Sequence, residues 1–249
     1  MARIEVMGCP VDALDMEQAL SRIERWVEEG VPRQHVVVNA AKIVGMRGNA
    51  NLRRIISGCD MINADGMPVV WASRILGDAL PCRVAGVDLF QRLVGLCAEK
   101  GYRPFFFGAE EAVVREMVGV LRERYPALEI AGYRNGYFAP GESVAIADTI
   151  RESGAHMLFV GFSSPMKEEF LNRWMGRMGV PFCMGVGGSF DVVAGKTRRA
   201  PLWMQECGFE WLYRILQEPR RMWKRYAKTN PAFIWLLLRE WHRRQRKCR

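Results

Sequence analysis

Short hydrophobic runs alternate with amphipathic stretches along the first 195 residues of this chain. The runs 35–38 and 104–107 are rich in β-branched or aromatic residues and predict buried strands. In 111–125 the apolar residues recur every three or four positions, which predicts a helix. Strands that alternate with helices of about 10 to 15 residues form parallel sheets. We therefore predict an α/β fold: a Rossmann-like, mostly parallel sheet over residues 1–195, with helices on both faces.

The other elements of this domain follow from the same patterns. Asp15 is expected to cap a first helix, and Gly30 to end it. Further strands are predicted at 4–8, 61–62, 128–133, 157–160 and 182–186, and further helices from 40 and at 52–57, 89–100 and 142–153.

Residues 196–249 have a different character. They hold 15 Lys and Arg against four Glu, whereas the rest of the chain has a net charge of −2, and they contain five of the eight tryptophans. Pro201, Pro219 and Pro231 predict a division into short helices. Basic helices bearing tryptophan are typical of segments that bind an anionic membrane surface. The alternative is a helical cap that packs on the core and leaves its charges in solvent.

Composition excludes several classes of protein. With 49% hydrophobic residues the chain is not disordered, and it has no apolar run of about 18 residues that would span a bilayer. The N-terminus MARIEVMGCP lacks the apolar core of a signal peptide. The seven cysteines are scattered without a C-x-x-C pair, which favours reduced thiols in the cytoplasm over disulfides or a metal site. We expect no metal and no cofactor.

The stretch 60–90 is the candidate active site. A short apolar run ends in Asn63-Ala64-Asp65-Gly66, and a helical pattern follows. Such a strand, turn and helix present a carboxylate at the carboxyl edge of the sheet, where ligands bind. Gly66 is expected to allow the tight turn, and Arg83 and Asp88 to converge with Asp65 on one crevice. The simpler interpretation is that Asp65 only caps the next helix.

Other polar and glycine residues follow predicted strands and would lie at the same edge, namely Asn39, Gly108, Gly161 and Gly187. Lys167 and Glu168 open the helix after Gly161 and would face this edge, although an exposed ion pair explains them equally simply. The segment 187–191 could be an ordinary corner after a strand.

Familiar nucleotide motifs are missing. The G-x-G-x-x-G fingerprint is absent, which argues against a Rossmann oxidoreductase. Gly195-Lys196-Thr197 resembles the end of a P-loop, but Phe190 occupies the position of its first glycine. There is no D-x-D pair, so a nucleotide-sugar diphosphate would need cationic side chains, for which arginine is suited.

Eight segments together carry a resemblance that runs from Val6 to about Phe233. They are VNAAKIV (38–44), NADGMPVVWASRILG (63–77), RVAGVDLF (83–90), FFFGA (105–109), NGYF (135–138), GFSSPMKEEF (161–170), GVGGSFDVVAGKTRRAP (185–201) and EWLYRILQEPRRMWKRY (210–226). The chain resembles the WecG/TagA/CpsF family of bacterial glycosyltransferases. The resemblance implies inverting, metal-independent transfer of a sugar, most often N-acetylmannosamine, from a UDP-sugar donor to an undecaprenyl-diphosphate-linked acceptor. It also implies a cytoplasmic protein, peripheral on the inner face of the cytoplasmic membrane.

By position in those segments, the resemblance implies that Asp65 is the catalytic base. It also implies that Asn39, Arg83, Arg214, Arg221 and Lys224 bind substrate. From their places at the predicted sheet edge or in the matching segments, we expect the same of Asp88, Gly108, Gly136, Tyr137, Gly161, Lys167, Glu168, Gly187, Gly188 and Asp191. The basic segment would close over the site as a lid. Val37 and Lys167 stand where many members have Thr and Gln, so UDP-glucose or an aminouronic acid donor is the alternative.

A protein of another class would be a non-catalytic one that binds a nucleotide and, through its tail, an anionic surface. No base-reading motif is visible, so we expect no nucleic-acid partner. A small homo-oligomer is also compatible with the sequence.

Overall fold

The structure is a computed structural model that describes residues 2–247; the side chains of Pro140, Arg221 and Lys247 lie outside the description. The strands are β1 Arg3–Val6, β2 Cys9–Asp12, β3 Arg33–Val38, β4 Met61–Ala64, β5 Pro104–Gly108, β6 Gly132–Arg134, β7 Met157–Gly161 and β8 Phe182–Gly185. The helices are α1 Met16–Glu29, α2 Ala40–Gly48, α3 Ala50–Ser57, α4 Met67–Ile75, α5 Gly86–Lys100, α6 Glu111–Arg124, α7 Ser143–Glu152, α8 Met166–Met178, α9 Ser189–Val193, α10 Leu202–Glu206, α11 Glu210–Gln217 and α12 Pro219–Lys247.

Six strands form one parallel sheet in the order β4-β3-β8-β7-β5-β6. Each strand pairs with its neighbours in parallel register, for example Val38 with Ala64 and Gly108 with Gly161. Parallel strands bring all their carboxyl ends to one edge, so the loops after β3, β4, β7 and β8 meet there. The predicted α/β, Rossmann-like fold is confirmed.

The sheet is covered on both faces because alternate residues of each buried strand point to opposite sides. On one face Phe106 of β5 packs with Phe90, Phe159 and Phe190. On the other face the neighbouring Phe107 packs with a second aromatic group, formed by Phe138, Phe162 and Phe170. Asp15 caps α1 and Gly30 ends it in a left-handed conformation, as predicted.

The N-terminal residues form a hairpin and not the single strand predicted at 4–8. The chain reverses at Met7 and Gly8, which both have positive φ, and β1 then pairs antiparallel with β2. Two-residue turns of this handedness match the twist of the strands they join. The Asp12 carboxylate accepts hydrogen bonds from Arg3 and from the Ile62 amide, which ties the hairpin to β4.

The strand predicted at 128–133 is also displaced. Leu128 and Ile130 pack their side chains against the core without pairing, and β6 begins only at Gly132. The ring of Phe105 lies where a side chain at Gly132 would stand, 2.6 Å from an added Cβ. The apolar pattern at 128–130 therefore reflects burial, not strand formation.

The basic tail folds into α10, α11 and α12. Pro201 precedes α10 and Pro219 begins α12, as expected, but Pro231 lies inside α12, so the prediction that it divides the tail is wrong. Proline removes one helical hydrogen bond, and here packing compensates: Phe233 and Leu236 are buried in the core formed by the hairpin, α2 and α4. At the far end Arg244 donates hydrogen bonds to the carbonyls of Leu76 and Glu5. The boundary at 195 stays a prediction.

Candidate functional site

A cavity of about 110 Å³ lies at the carboxyl edge of the sheet, between the loops after β3 and β4 and the three helices of the tail. Its walls come from both parts of the chain and include several charged and aromatic side chains. The lining residues are Asn39, Ala40, Ala41, Asp65, Gly66, Met67, Pro68, Arg83, Gln205, Gly208, Glu210, Trp211, Arg214, Arg225, Tyr226 and Asn230. The predicted neighbours Asn39, Asp65 and Arg83 are thus brought together.

Asp65 is held by the helix that follows the next loop. Its Oδ1 accepts a 2.7 Å hydrogen bond from the amide of Gly86, the first residue of α5, while its own amide donates to the Val38 carbonyl. Gly66, not Asp65, occupies the cap position of α4 and makes no side-chain cap, so the simple capping interpretation is wrong. The Oδ2 atom has no hydrogen-bond partner among residues 2–247 and is available at the cavity.

The two glycines near Asp65 have different roles, and Gly66 does not have the one expected. Gly66 has φ −117°, which any residue can adopt, so the turn does not depend on the backbone freedom of glycine. Gly86 is the sterically restricted position: an added Cβ would lie 3.1 Å from Val37 Cγ2 and 3.6 Å from Asp65 Oδ1. The absence of a side chain at Gly86 lets its amide reach the carboxylate.

Asn39 begins α2 as its N-cap. Its Oδ1 accepts a 3.0 Å hydrogen bond from the Lys42 amide, while its side-chain NH2 group has no hydrogen-bond partner among residues 2–247. Asn39 lies at the end of β3, next to β4, and so adjoins Asp65 as predicted.

Arginines from two distant segments meet across the cavity. Arg83, from the loop before α5, donates a 3.0 Å hydrogen bond to Gln205 of α10 and lies 3.5 Å from Glu210 of α11. Arg214, one turn further along α11, shares the same Glu210 at 3.2 Å. The Glu210 carboxylate therefore holds the two guanidinium groups near one another.

The first turns of α12 complete this wall with Arg225 and Tyr226, which sequence reasoning missed. Tyr226 packs on Trp211 of α11 with ring centroids 5.9 Å apart. Burial raises the pKa of Tyr226, so its hydroxyl keeps its proton and can donate. The Arg225 guanidinium lies over the Tyr226 ring and makes no ion pair with the described side chains.

Three arginines therefore face two carboxylates, Asp65 and Glu210, around the cavity. The excess positive charge suits an anionic ligand. The signal available in the sequence was the joint run of basic and aromatic residues after 210, which indicated the segment but not the individual residues. Lys224 is exposed and is not a lining residue, and the side chain of Arg221 lies outside the described residues.

Three charged side chains, Lys42, Lys167 and Glu168, are buried where α2 meets α8. Lys42 Nζ donates to Glu168 Oε1 and to the Val37 carbonyl, both at 2.8 Å. Burial alone would raise the pKa of Glu168, but Lys42 and Lys167 outweigh it and the pKa is lowered. The interpretation of Lys167 and Glu168 as an exposed ion pair is wrong, because both are buried and Glu168 pairs with Lys42.

The predicted glycines lie at the expected edge but are packed by protein. An added Cβ on Gly108 would lie 2.6 Å from the backbone of Gly161, and one on Gly136 would lie 2.7 Å from the Phe162 ring. An added Cβ on Gly161 itself would meet the Phe190 ring at 2.7 Å. These contacts let the ends of β5 and β7 approach each other.

The remaining predicted residues lie further along that edge, outside the cavity lining. Tyr137 is 71% exposed, and Gly187 and Gly188 form the turn between β8 and α9, where Asp191 stands in the first turn. Asp88 was expected to converge with Arg83 on one crevice, and this is wrong: its carboxylate forms a bidentate pair with Arg199. The role of each as a substrate-binding residue stays a prediction.

Two general properties of residues 2–247 complete the description. No helix within this range combines the length and apolar character required to cross a bilayer. The same residues hold no cluster of three or more His, Cys, Asp or Glu side chains that could bind a metal ion.

A family model and known proteins match most of this chain. Residues 4–247 match the model of the glycosyl transferase WecG/TagA/CpsF family. The chain is 35% identical over 205 residues to an N-acetylglucosaminyldiphosphoundecaprenol N-acetyl-beta-D-mannosaminyltransferase of Bacillus spizizenii, which covers 82% of this chain and 78% of the relative. A protein of the same name from Bacillus subtilis is 34% identical over 186 residues, 75% and 71% of the two chains. The enzyme described here is a glycosyltransferase, and it belongs to the WecG/TagA/CpsF family.

Proposed function

We propose that this enzyme transfers N-acetylmannosamine from a UDP-sugar to an undecaprenyl-diphosphate-linked N-acetylglucosamine, with inversion and without a metal ion. The product would enter the synthesis of a teichoic acid or another cell-surface polysaccharide. The observation that carries the proposal is the cavity in which Asp65 faces Arg83, Arg214 and Arg225. The names of the two Bacillus relatives support the acceptor and the transferred sugar.

Asp65 is the base of the proposed reaction. The Gly86 amide fixes Oδ1, and the unpartnered Oδ2 takes the proton of the acceptor hydroxyl as that oxygen attacks the anomeric carbon of the donor. The bond from the anomeric carbon to the diphosphate oxygen breaks on the opposite side, and UDP leaves with the electron pair. Attack from one face and departure from the other invert the anomeric centre.

The arginines of the cavity stabilise the charge of the departing diphosphate in this proposal. Guanidinium groups meet phosphate oxygens with two parallel hydrogen bonds, and can so replace a divalent ion in this role. Arg225 makes no ion pair with the described side chains, while Arg83 and Arg214 share the single carboxylate of Glu210. This arrangement leaves positive charge for a ligand.

The tail would place the site at the inner face of the cytoplasmic membrane. Trp203, Leu216 and Trp223 are at least 60% exposed, and they lie among the basic residues of α10 to α12. Further along α12 a second exposed apolar group is formed by Ile234, Trp235, Leu238 and Trp241. Exposed tryptophan and leucine beside arginine and lysine suit the headgroup region of an anionic bilayer. The lipid-linked acceptor would reach the cavity from that surface.

The alternative donors are UDP-glucose and a UDP-linked aminouronic acid. Lys167 favours the second of these, because its side chain is mostly buried near the end of β8 and its positive charge has no hydrogen-bond acceptor among residues 2–247. A non-catalytic binding protein is disfavoured, since it would not require a carboxylate with a free oxygen in the cavity.

The proposed function is tested by measuring UDP release from purified protein in EDTA. The protein is offered a panel of UDP-sugars, each with and without an undecaprenyl-diphosphate-N-acetylglucosamine analogue. We expect acceptor-dependent release with UDP-N-acetylmannosamine. A requirement for added Mg²⁺ or Mn²⁺ would contradict metal independence, and release from another donor alone would replace the sugar named here.

The role of Asp65 is tested in the same assay with Asp65→Asn. Loss of general-base catalysis should lower the rate by roughly 10²- to 10⁴-fold. Asp148→Asn is the matched control, because Asp148 pairs with Arg177 on α8 far from the cavity, and it should retain the normal rate. Turnover by Asp65→Asn at the normal rate would remove Asp65 as the base.

A further inference from the structure

The ion pair of Asp88 and Arg199 has no part in the proposed reaction, although it lies close to the residues that carry it. Asp88 stands in the first turn of α5, and Arg199 lies in the segment between α9 and α10. Arg199 donates hydrogen bonds to both carboxylate oxygens of Asp88, with Nη2 2.7 Å from Oδ2. A bidentate contact of this kind fixes the direction of both side chains as well as their separation.

The first turn of α5 is the part of the protein that orients Asp65. The amide of Gly86, the first residue of this helix, donates the 2.7 Å hydrogen bond to Asp65 Oδ1. Ala85 precedes the helix and provides no side-chain cap, so the Asp65 carboxylate takes the place of a capping side chain. The direction of Oδ2, the atom that takes the proton in the proposed reaction, therefore depends on where this turn lies.

The turn is anchored on both sides of Gly86. Before it, the Val84 amide donates a 2.8 Å hydrogen bond to the Ala64 carbonyl at the end of β4. After it, Asp88 is bound by Arg199. Helix ends without a side-chain cap fray easily, so the second anchor restricts the position of the Gly86 amide.

The segment that carries Arg199 also holds the tail. The backbone of Arg198 exchanges two hydrogen bonds with the Gln217 side chain of α11, at 3.2 and 2.9 Å. The Ala200 carbonyl accepts a 2.7 Å hydrogen bond from Gln205 of α10, a residue that lines the cavity. Three consecutive residues therefore connect α10 and α11 to the first turn of α5.

We propose that Arg199 is a positioning residue: through Asp88 it fixes the first turn of α5, and with it the orientation of Asp65, relative to the tail helices. The inference rests on the proposed function, since it takes Asp65 as the base. Neither Asp88 nor Arg199 lines the cavity, so the pair acts through the Gly86 amide and not by contact with substrate. Asp88 thereby has a role other than the substrate contact expected from the sequence.

The test measures kcat and KM of the full chain in the UDP-release assay for Arg199→Gln, Asp88→Asn and the double variant. Each single variant should lower kcat by about 10- to 100-fold, since a displacement of about 1 Å at a reacting group costs up to roughly 100-fold. KM for the donor should stay the same, because the lining of the cavity is unchanged. The double variant should be no slower than either single variant, because all three lack the same contact.

Two further variants separate positioning from general stability. Arg199→Lys keeps the charge without the bidentate geometry, so its kcat should lie between those of the native chain and Arg199→Gln. Arg177→Gln is the matched control, because Arg177 forms a similar bidentate pair with Asp148, at 2.8 and 2.7 Å, that joins α8 to α7. This control should retain the native kcat.

Amide hydrogen exchange gives a readout that does not require turnover. The amides in the first turn of α5 should exchange faster in Arg199→Gln than in the native chain, because the turn opens more often without its second anchor. The same amides should exchange at the native rate in Arg177→Gln. Unchanged exchange in Arg199→Gln would overturn the inference.

The kinetic outcomes separate this inference from the proposed function. A native kcat in Arg199→Gln, together with loss of turnover in Asp65→Asn, would overturn the inference and leave the proposed function standing. A raised KM in place of a lowered kcat would show contact with substrate and would also overturn it, as would a loss of kcat that Arg177→Gln shares. Normal turnover by Asp65→Asn would contradict the proposed role of Asp65, and the inference would fall with it.

Discussion

The buried ion pair of Lys42 and Glu168 allows the cost of leaving a buried charge unpaired to be measured directly. The pair joins α2 to α8 across 126 positions of sequence, with side chains only 7% and 2% exposed. Glu168→Gln keeps the size and an acceptor oxygen but removes the charge. Lys42 would then be a buried ammonium group without a counter-ion.

The expected loss of stability follows from the burial of this pair. Removing one partner of a buried ion pair lowers the free energy of unfolding by about 3 to 5 kcal/mol, because the other charge stays buried and unpaired. For a protein of this size each 1 kcal/mol corresponds to about 2 to 4 °C in Tm. Glu168→Gln should therefore lower Tm by roughly 6 to 20 °C.

The assay is thermal and urea unfolding of Glu168→Gln, Lys42→Met and the double variant Lys42→Met/Glu168→Met. The double variant should be more stable than Glu168→Gln, since neither member of the Lys42–Glu168 pair is then left buried and charged without the other. The pKa of Glu168 is lowered on folding, so the stabilisation it provides is present above its ordinary value of 4.5 and lost as pH falls through the lower folded value. The difference between native and Glu168→Gln should shrink over that acidic range. A change in Tm below about 2 °C would refute the reasoning.

Two further predictions concern packing and the membrane. Gly108→Ala should destabilise the protein by about 1 to 3 kcal/mol, because the added Cβ would overlap the Gly161 backbone in the neighbouring strand. Gly119 is a helical position where an added Cβ would meet nothing within 4 Å, so Gly119→Ala should instead stabilise the protein by roughly 0.5 to 1 kcal/mol. Chemical unfolding measures both variants, and an equal change in the free energy of unfolding for the two would contradict this account. Replacing exposed Trp235 and Leu238 with serine should reduce sedimentation with anionic liposomes while Tm is kept, and undiminished sedimentation would show that this face does not bind lipid.

The elements of the sheet could be predicted from sequence because their signals are local. A run such as His35–Val38 specifies a buried strand from its own composition, and Asp65 follows a strand whose position fixes it at the carboxyl edge. Short elements without a periodic signal were missed. β2 contains Pro10, which lowers its strand propensity, and only the pairing with β1 makes it a strand.

The parts of the site that sequence could not supply depend on distant partners. Nothing near Glu168 in the chain indicates that it pairs with Lys42 rather than with its neighbour Lys167. Likewise Arg225 reaches the cavity on an early turn of α12, a helix that continues through Pro231 and is anchored beyond it by the buried Phe233. Tertiary packing overrode the local preference of proline.

The late position of helix α12 in the chain affects the order in which parts of the protein fold during translation. Its early turns supply Arg225 and Tyr226 to the cavity, and its later turns cover apolar side chains of the hairpin and α2. Domains begin to fold from the N-terminal side as the ribosome extends them. Among the described elements α12 emerges last, so the sheet and Asp65 exist before the wall that completes the cavity. On the proposed mechanism the nascent enzyme is therefore inactive until this helix has emerged from the ribosome, and until then one apolar surface stays uncovered.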